Sequence, residues 1–142
     1  MRRWGGLLLV PLLFVLAFGA YLLSDSDAKD RRIWSRFRTE LTPDRVTRVE
    51  IGHATPITLT DEERSRALAL LRQARFRESN RQGYGPTPET ILTLHFADGR
   101  TIHIGFWGGE TFELSPRHLD PRTQFLINSP PLGDLVRQKT KR

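Results

Sequence analysis

Two groups of residues have side chains suited to chemistry. The first lies in "TILTLHFADGRTIHIGFWGGETFEL", where His95 and His103 flank a glycine-containing turn. Imidazoles are common ligands for zinc and copper, so a pair on neighbouring strands is a candidate metal site. A closed site needs about four ligands. The chain of 142 residues has no cysteine, and Glu113 is the one carboxylate whose alternation brings it onto the same strand face. The second group is Arg72, Arg75, Arg77 and Arg81, followed by Tyr84 between two glycines, with Trp107 at a later turn. Guanidinium groups beside aromatic rings suit an acidic or anionic partner.

No catalytic signature accompanies either group. There is no Gly-x-Ser-x-Gly and no His-Glu-x-x-His, and the glycines of "GFWGGE" precede a strand rather than the helix start a phosphate loop requires. Glu62 and Glu63 are adjacent on a helix and point about 100° apart, so they cannot serve one substrate. The reading is therefore a non-enzymatic binding module without a cofactor. Metal binding through His95 and His103 is the alternative.

The elements that position these residues follow from periodicity. Leu92, Leu94 and Phe96, then Ile102, Ile104 and Phe106, alternate as two half-buried strands. A two-residue Asp98-Gly99 turn would put their apolar rows on opposite sides of the sheet. A three-residue Ala97-Asp98-Gly99 loop with Gly99 left-handed pairs Leu94 with Ile102 and aligns the rows. That register places His95 opposite Thr101 and His103 opposite Thr93 on the polar face, as diagonal neighbours about 6–8 Å apart. The same arithmetic at Trp107-Gly108-Gly109 predicts Phe106 opposite Glu110 and Ile104 opposite Phe112. Thr123, Phe125 and Ile127 alternate in a further strand, and Ser129-Pro130 opens a last short helix carrying Leu132, Leu135 and Val136, beyond which "KTKR" frays.

Upstream, "RVTRVEIGH" reads as a strand with an irregularity near Arg48, and "ATPITL" as a turn and a short strand. Thr60 to Glu63 is a capping box opening a helix to about Ala74, with Ala67, Leu68, Leu71 and Ala74 as its core stripe. A short strand at Arg75 to Arg77 leads into a loop through Glu89. The fold class is α+β: an antiparallel meander of about four to five strands packed with a central helix and a short C-terminal helix.

The N-terminus sets the compartment. Trp4 to Ser24 has no charged residue and follows Arg2 and Arg3. Its apolar length suits a membrane-crossing helix, while Ser26-Asp27-Ala28 offers a cleavage site after Ala28 and hence a secreted product. The chain divides into residues 1–24 as signal anchor or signal peptide, 25–44 as a polar linker running into a short helix with Ile33, Trp34, Phe37 and Leu41, and 45–142 as the exported domain. Lys29, Arg31, Arg32, Arg36 and Arg38 oppose a simple positive-inside count. The Met-Arg-Arg start favours a domain outside the bacterial inner membrane. The formal charge is +6, with arginine outnumbering lysine 19 to 3. Export makes nucleic acid an unsuitable partner and leaves the membrane itself, an envelope protein or an anionic polymer.

From Val46 to Gln138, the order of strand, capped helix, "TILTLHFADGRTIHIGFWGGETFEL" and "TQFLINSPPLGDLVRQ" resembles small bacterial extracytoplasmic domains of unknown function, of the YhfM-like kind. The resemblance implies no activity and no site residue. The lipidated cysteine of its lipoprotein members is missing here.

Overall fold

The computed structural model describes residues 9–80 and 87–141. The chain folds as α+β, with a sheet covered on one face by helices. In chain order the elements are α1 (Leu9–Phe37), a 3₁₀ turn at Arg38–Glu40, β1 (Val46–Ile51), β2 (Ile57–Thr58), α2 (Asp61–Arg72), β3 (Arg75–Ser79), β4 (Thr90–Phe96), β5 (Thr101–Phe106), β6 (Thr111–Leu114), β7 (Phe125–Asn128) and α3 (Pro130–Thr140). The sheet is antiparallel, with seven strands in the order β2-β1-β4-β5-β6-β7-β3. The expected meander is its centre. The strand count exceeds the expected four to five because β1 and β2 join beside β4, and β3 returns to the far edge beside β7.

The first hairpin has the expected register. Leu94 pairs with Ile102 and His95 with Thr101, and Gly99 at φ 89° closes the loop. The second hairpin does not: Phe106 pairs with Phe112 and Gly105 with Glu113. Trp107 remains in the ladder, its amide donating to the Thr111 carbonyl at 3.0 Å. The loop is thus Gly108-Gly109-Glu110, whose glycines both take positive φ, 85° and 59°. A slip of two residues leaves every side chain on its own face, so the apolar rows still align.

Those rows form the core. Val46, Val49, Ile51, Leu92, Leu94, Phe96, Ile104, Phe106, Phe112, Leu114, Phe125 and Ile127 are buried, together with Ala67, Leu68 and Leu71 of α2 and Leu132, Leu135 and Val136 of α3. The Thr60 capping box is formed in both directions, and the Ser129 hydroxyl accepts from the Leu132 amide. The irregularity in β1 falls between Val46 and Arg48. α3 stays helical through Thr140 and does not fray at Lys139, whose ammonium pairs with Glu63.

The largest departure from expectation is at the N-terminus. No linker separates the apolar segment from the domain, because α1 is one helix of 29 residues. Its first half exposes Val10, Leu12, Leu13, Phe14, Val15, Leu16, Phe18, Tyr21 and Leu22. Its second half buries Ser26, Asp30, Trp34 and Phe37, and Leu41 follows beyond the 3₁₀ turn. Steps of three or four residues keep this stripe on one helix face. Trp34 and Phe37 enter the core, where the Trp34 ring centroid lies 6.0 Å from that of Phe125. Among the described residues, this is the one helix long and apolar enough to cross a membrane.

Candidate functional site

The join between α1 and the sheet is held by polar contacts. The buried Asp30 carboxylate accepts hydrogen bonds from the Ser79 hydroxyl at 2.5 Å and the Thr123 hydroxyl at 2.6 Å. Asp27 accepts from the Ser79 amide at 3.0 Å, and Lys29 pairs with Asp120 at 2.5 Å. The Lys29 ammonium and the Arg122 amide hold the Asp120 carboxyl below the usual carboxylate range. Trp34 Nε1 donates to the Ala74 carbonyl oxygen at 3.3 Å. These contacts tie α1 to the end of β3 at Ser79, where Asp27 satisfies a backbone amide of the sheet edge.

Between α1 and β3 the surface opens into a groove of about 440 Å³, with Arg31, Trp34, Ser35 and Arg38 on one wall and Gln73, Ala74, Arg75 and Phe76 on the other. The Arg31 guanidinium carbon lies 4.8 Å from the Phe76 ring centroid, a cation–π contact. Among the described residues no carboxylate lines this groove. Round β3 lies a second groove of about 580 Å³, lined by Leu70, Gln73, Arg75, Phe76, Arg77, Glu110, Asn128 and Ser129 to Pro131. Here Arg77 is committed, donating to the Thr111 hydroxyl at 3.2 Å and pairing with Glu78 at 3.4 Å.

Of the arginines expected to act together, Arg75 and Arg77 share the second groove. Arg72 ends α2, exposed and outside the lining of either groove. Arg81 and Tyr84 lie outside the described residues. Trp107 is half-buried in the β5–β6 connection, away from both grooves. Sequence reasoning missed Arg31 and Arg38. They are seven residues apart, Arg31 on α1 and Arg38 in the 3₁₀ turn that follows, but this counts as a signal only once the helix is known to run continuously to that turn.

His95 and His103 sit on the uncovered face of the sheet, each engaged separately. His95 Nε2 is 2.9 Å from Glu50 Oε2, and Arg48 also pairs with Glu50, at 3.3 Å. The hydrogen bond with His95 holds the Glu50 carboxyl below its ordinary range. His103 Nδ1 meets the Thr93 hydroxyl at 3.1 Å. Glu113 is taken up by the side-chain amides of Asn80 and Gln124, at 2.8 and 2.7 Å. His118 pairs with Glu40 at 3.2 Å. Among the described residues, no group of three or more His, Cys, Asp or Glu side chains could hold a metal ion.

The fold and surface define an α+β domain built onto an apolar N-terminal helix, with an arginine-lined groove where the two meet. No family model, no curated protein and no solved structure matches the chain.

Proposed function

We propose that the protein is a membrane-anchored, non-enzymatic binding module, with its domain on the extracytoplasmic side of a bacterial inner membrane and α1 as an uncleaved anchor. The observation that carries this reading is the continuity of α1. Cleavage after Ala28 would cut the helix between Asp27, bonded to the Ser79 amide, and the Lys29 and Asp30 contacts. It would remove part of the framework of the sheet edge. An apolar first half with every described large side chain exposed matches a lipid environment. The partner is an anionic polymer or an acidic envelope protein, met on the arginine-bearing surface around β3. Kinship with the YhfM-like domains belongs to the same proposal and rests on the hairpin pattern.

Membrane fractionation of the full chain, with a periplasm-active reporter at its C-terminus and alkaline carbonate extraction, tests the reading. The expected result is reporter activity and a carbonate-resistant chain that retains the residues before Ala28. A soluble chain beginning at Lys29 would establish the secreted alternative instead.

A further inference from the structure

The groove between α1 and β3 has a composition that its structural role does not explain. Arg31 comes from α1, Arg38 from the 3₁₀ turn that follows it and Arg75 from β3, so three arginines line one groove from facing walls. Among the described residues none of the three has a carboxylate partner; Arg48, Arg64, Arg77, Arg100 and Arg137 do, but Arg45 and Arg66 also lack one, so the distinguishing feature is that three such arginines share one lining. The Ser35 hydroxyl and the Gln73 amide add neutral donors, and Trp34 and Phe76 supply an apolar floor. All three are exposed and therefore solvated, but together they give the groove a positive potential that draws an external anion.

We propose that this groove binds phosphate groups carried on an extended polymer. The inference rests on the binding-module reading and gives its partner a chemistry. A carboxylate is planar and offers two oxygens to one fork, whereas a tetrahedral phosphate accepts donors from several directions, as arginines on facing walls require. Arg31 and Arg38 are seven residues apart, about 10 Å along the end of α1 and its 3₁₀ turn, which spans more than one phosphate of a chain. Arg38 directly follows Phe37, the end of α1, which stands fifteen residues beyond Leu22, about 22 Å along the helix, while the headgroup layer on each side is only about 5–8 Å deep. The complete site therefore lies above the lipid phosphates, and its ligand is not the bilayer that holds the helix. The groove has two walls, so it admits a chain more readily than the flat face of a folded protein.

The test is calorimetric titration of the full chain, in nanodiscs of phosphatidylcholine, with long-chain inorganic polyphosphate, orthophosphate and poly-glutamate. Polyphosphate binds and weakens with added salt, and orthophosphate binds far less well. Arg38→Gln/Arg75→Gln lowers polyphosphate affinity about tenfold per arginine. Arg38→Lys/Arg75→Lys, which keeps the charge and loses the fork, fails to restore it. Arg45→Gln/Arg66→Gln removes the same charge from exposed positions outside the groove and has little effect. Equal losses in that control would reduce the effect to net charge and overturn the site. Poly-glutamate binding as tightly as polyphosphate would overturn the phosphate assignment while leaving a binding module. Binding that appears only with phosphatidylglycerol in the nanodisc would assign the arginines to lipid. If carbonate releases the chain from membranes, the anchor reading fails, whatever the titration gives.

Discussion

Trp34→Ala measures how far the second half of α1 belongs to the domain. Trp34 is 3% exposed. Its ring lies 6.3 Å from Phe37 and 6.0 Å from Phe125, and its Nε1 satisfies the Ala74 carbonyl just beyond α2. Removing a buried aromatic side chain costs about 3–5 kcal/mol. An orphaned carbonyl adds about 1 kcal/mol. Against a usual domain stability of about 5–15 kcal/mol, this is a large share. At about 4 °C per kcal/mol for a domain of this size, Tm falls by about 16–24 °C. Trp34→Phe keeps most of the ring contact and loses the hydrogen bond, so it costs about 1–2 kcal/mol, near 5 °C. Thermal unfolding of the full chain in detergent, followed by near-ultraviolet circular dichroism, compares the two. A Trp34→Ala shift under about 4 °C would refute the reasoning, since the helix would then lean on the sheet without completing its core.

Asp30→Ala strands the buried Thr123 hydroxyl and frees the Ser79 hydroxyl, and is expected to cost about 2–4 kcal/mol by the same melt; a neutral outcome would show the junction to be adaptable. Gly133 of α3 is buried, and a Cβ there would fall on the Gly109 carbonyl oxygen. Gly133→Ala should therefore lose about 1–3 kcal/mol in chemical denaturation, and no loss would mean that the β5–β6 loop can retreat. Acid provides a further test. Hydrogen bonds from Lys139 and the Thr60 amide hold Glu63 below its ordinary range, the Lys29 contact does the same for Asp120, and the His95 contact for Glu50. Carboxyls lowered in the folded state contribute stability that is fully present above their unfolded values, about 4, and is lost as pH falls through the lower folded values. Tm should hold from neutrality to about pH 5 and drop below about pH 4, less steeply in Glu63→Gln. An unchanged slope in that variant would remove Glu63 from the account.

The sequence made the first hairpin legible because two apolar rows had to share a face and Gly99 could close only one suitable loop. It left the second ambiguous because registers two residues apart align the same rows. Gly108-Gly109 fits either, and keeping Trp107 in the ladder depends on packing that no periodicity encodes. The α2 cap and stripe are local and so were readable. The pairing of β3 with β7 joins residues about fifty apart, so nothing in a short window announces it. The junction of α1 was hidden by composition: Asp25 to Arg32 is charged enough to look like a linker. The stripe Ser26, Asp30, Trp34, Phe37, Leu41 was nevertheless present at helical spacing, with a polar start that only Ser79 and Thr123 explain. The arginine groove was half visible for the same reason. Arg75 stood out in its cluster, while Arg31 and Arg38 gain meaning only once a continuous helix lays them beside β3.

One unbroken helix, α1, both carries the apolar segment and frames the domain. The chain has no cysteine, so nitroxides placed at Ala17→Cys and Ser65→Cys, both exposed positions, report only the distance between the apolar half of α1 and the domain. Double electron–electron resonance on the labelled chain in nanodiscs should give a single narrow distance distribution. A broad distribution would mean a flexible joint between Leu22 and Trp34, and would contradict the account.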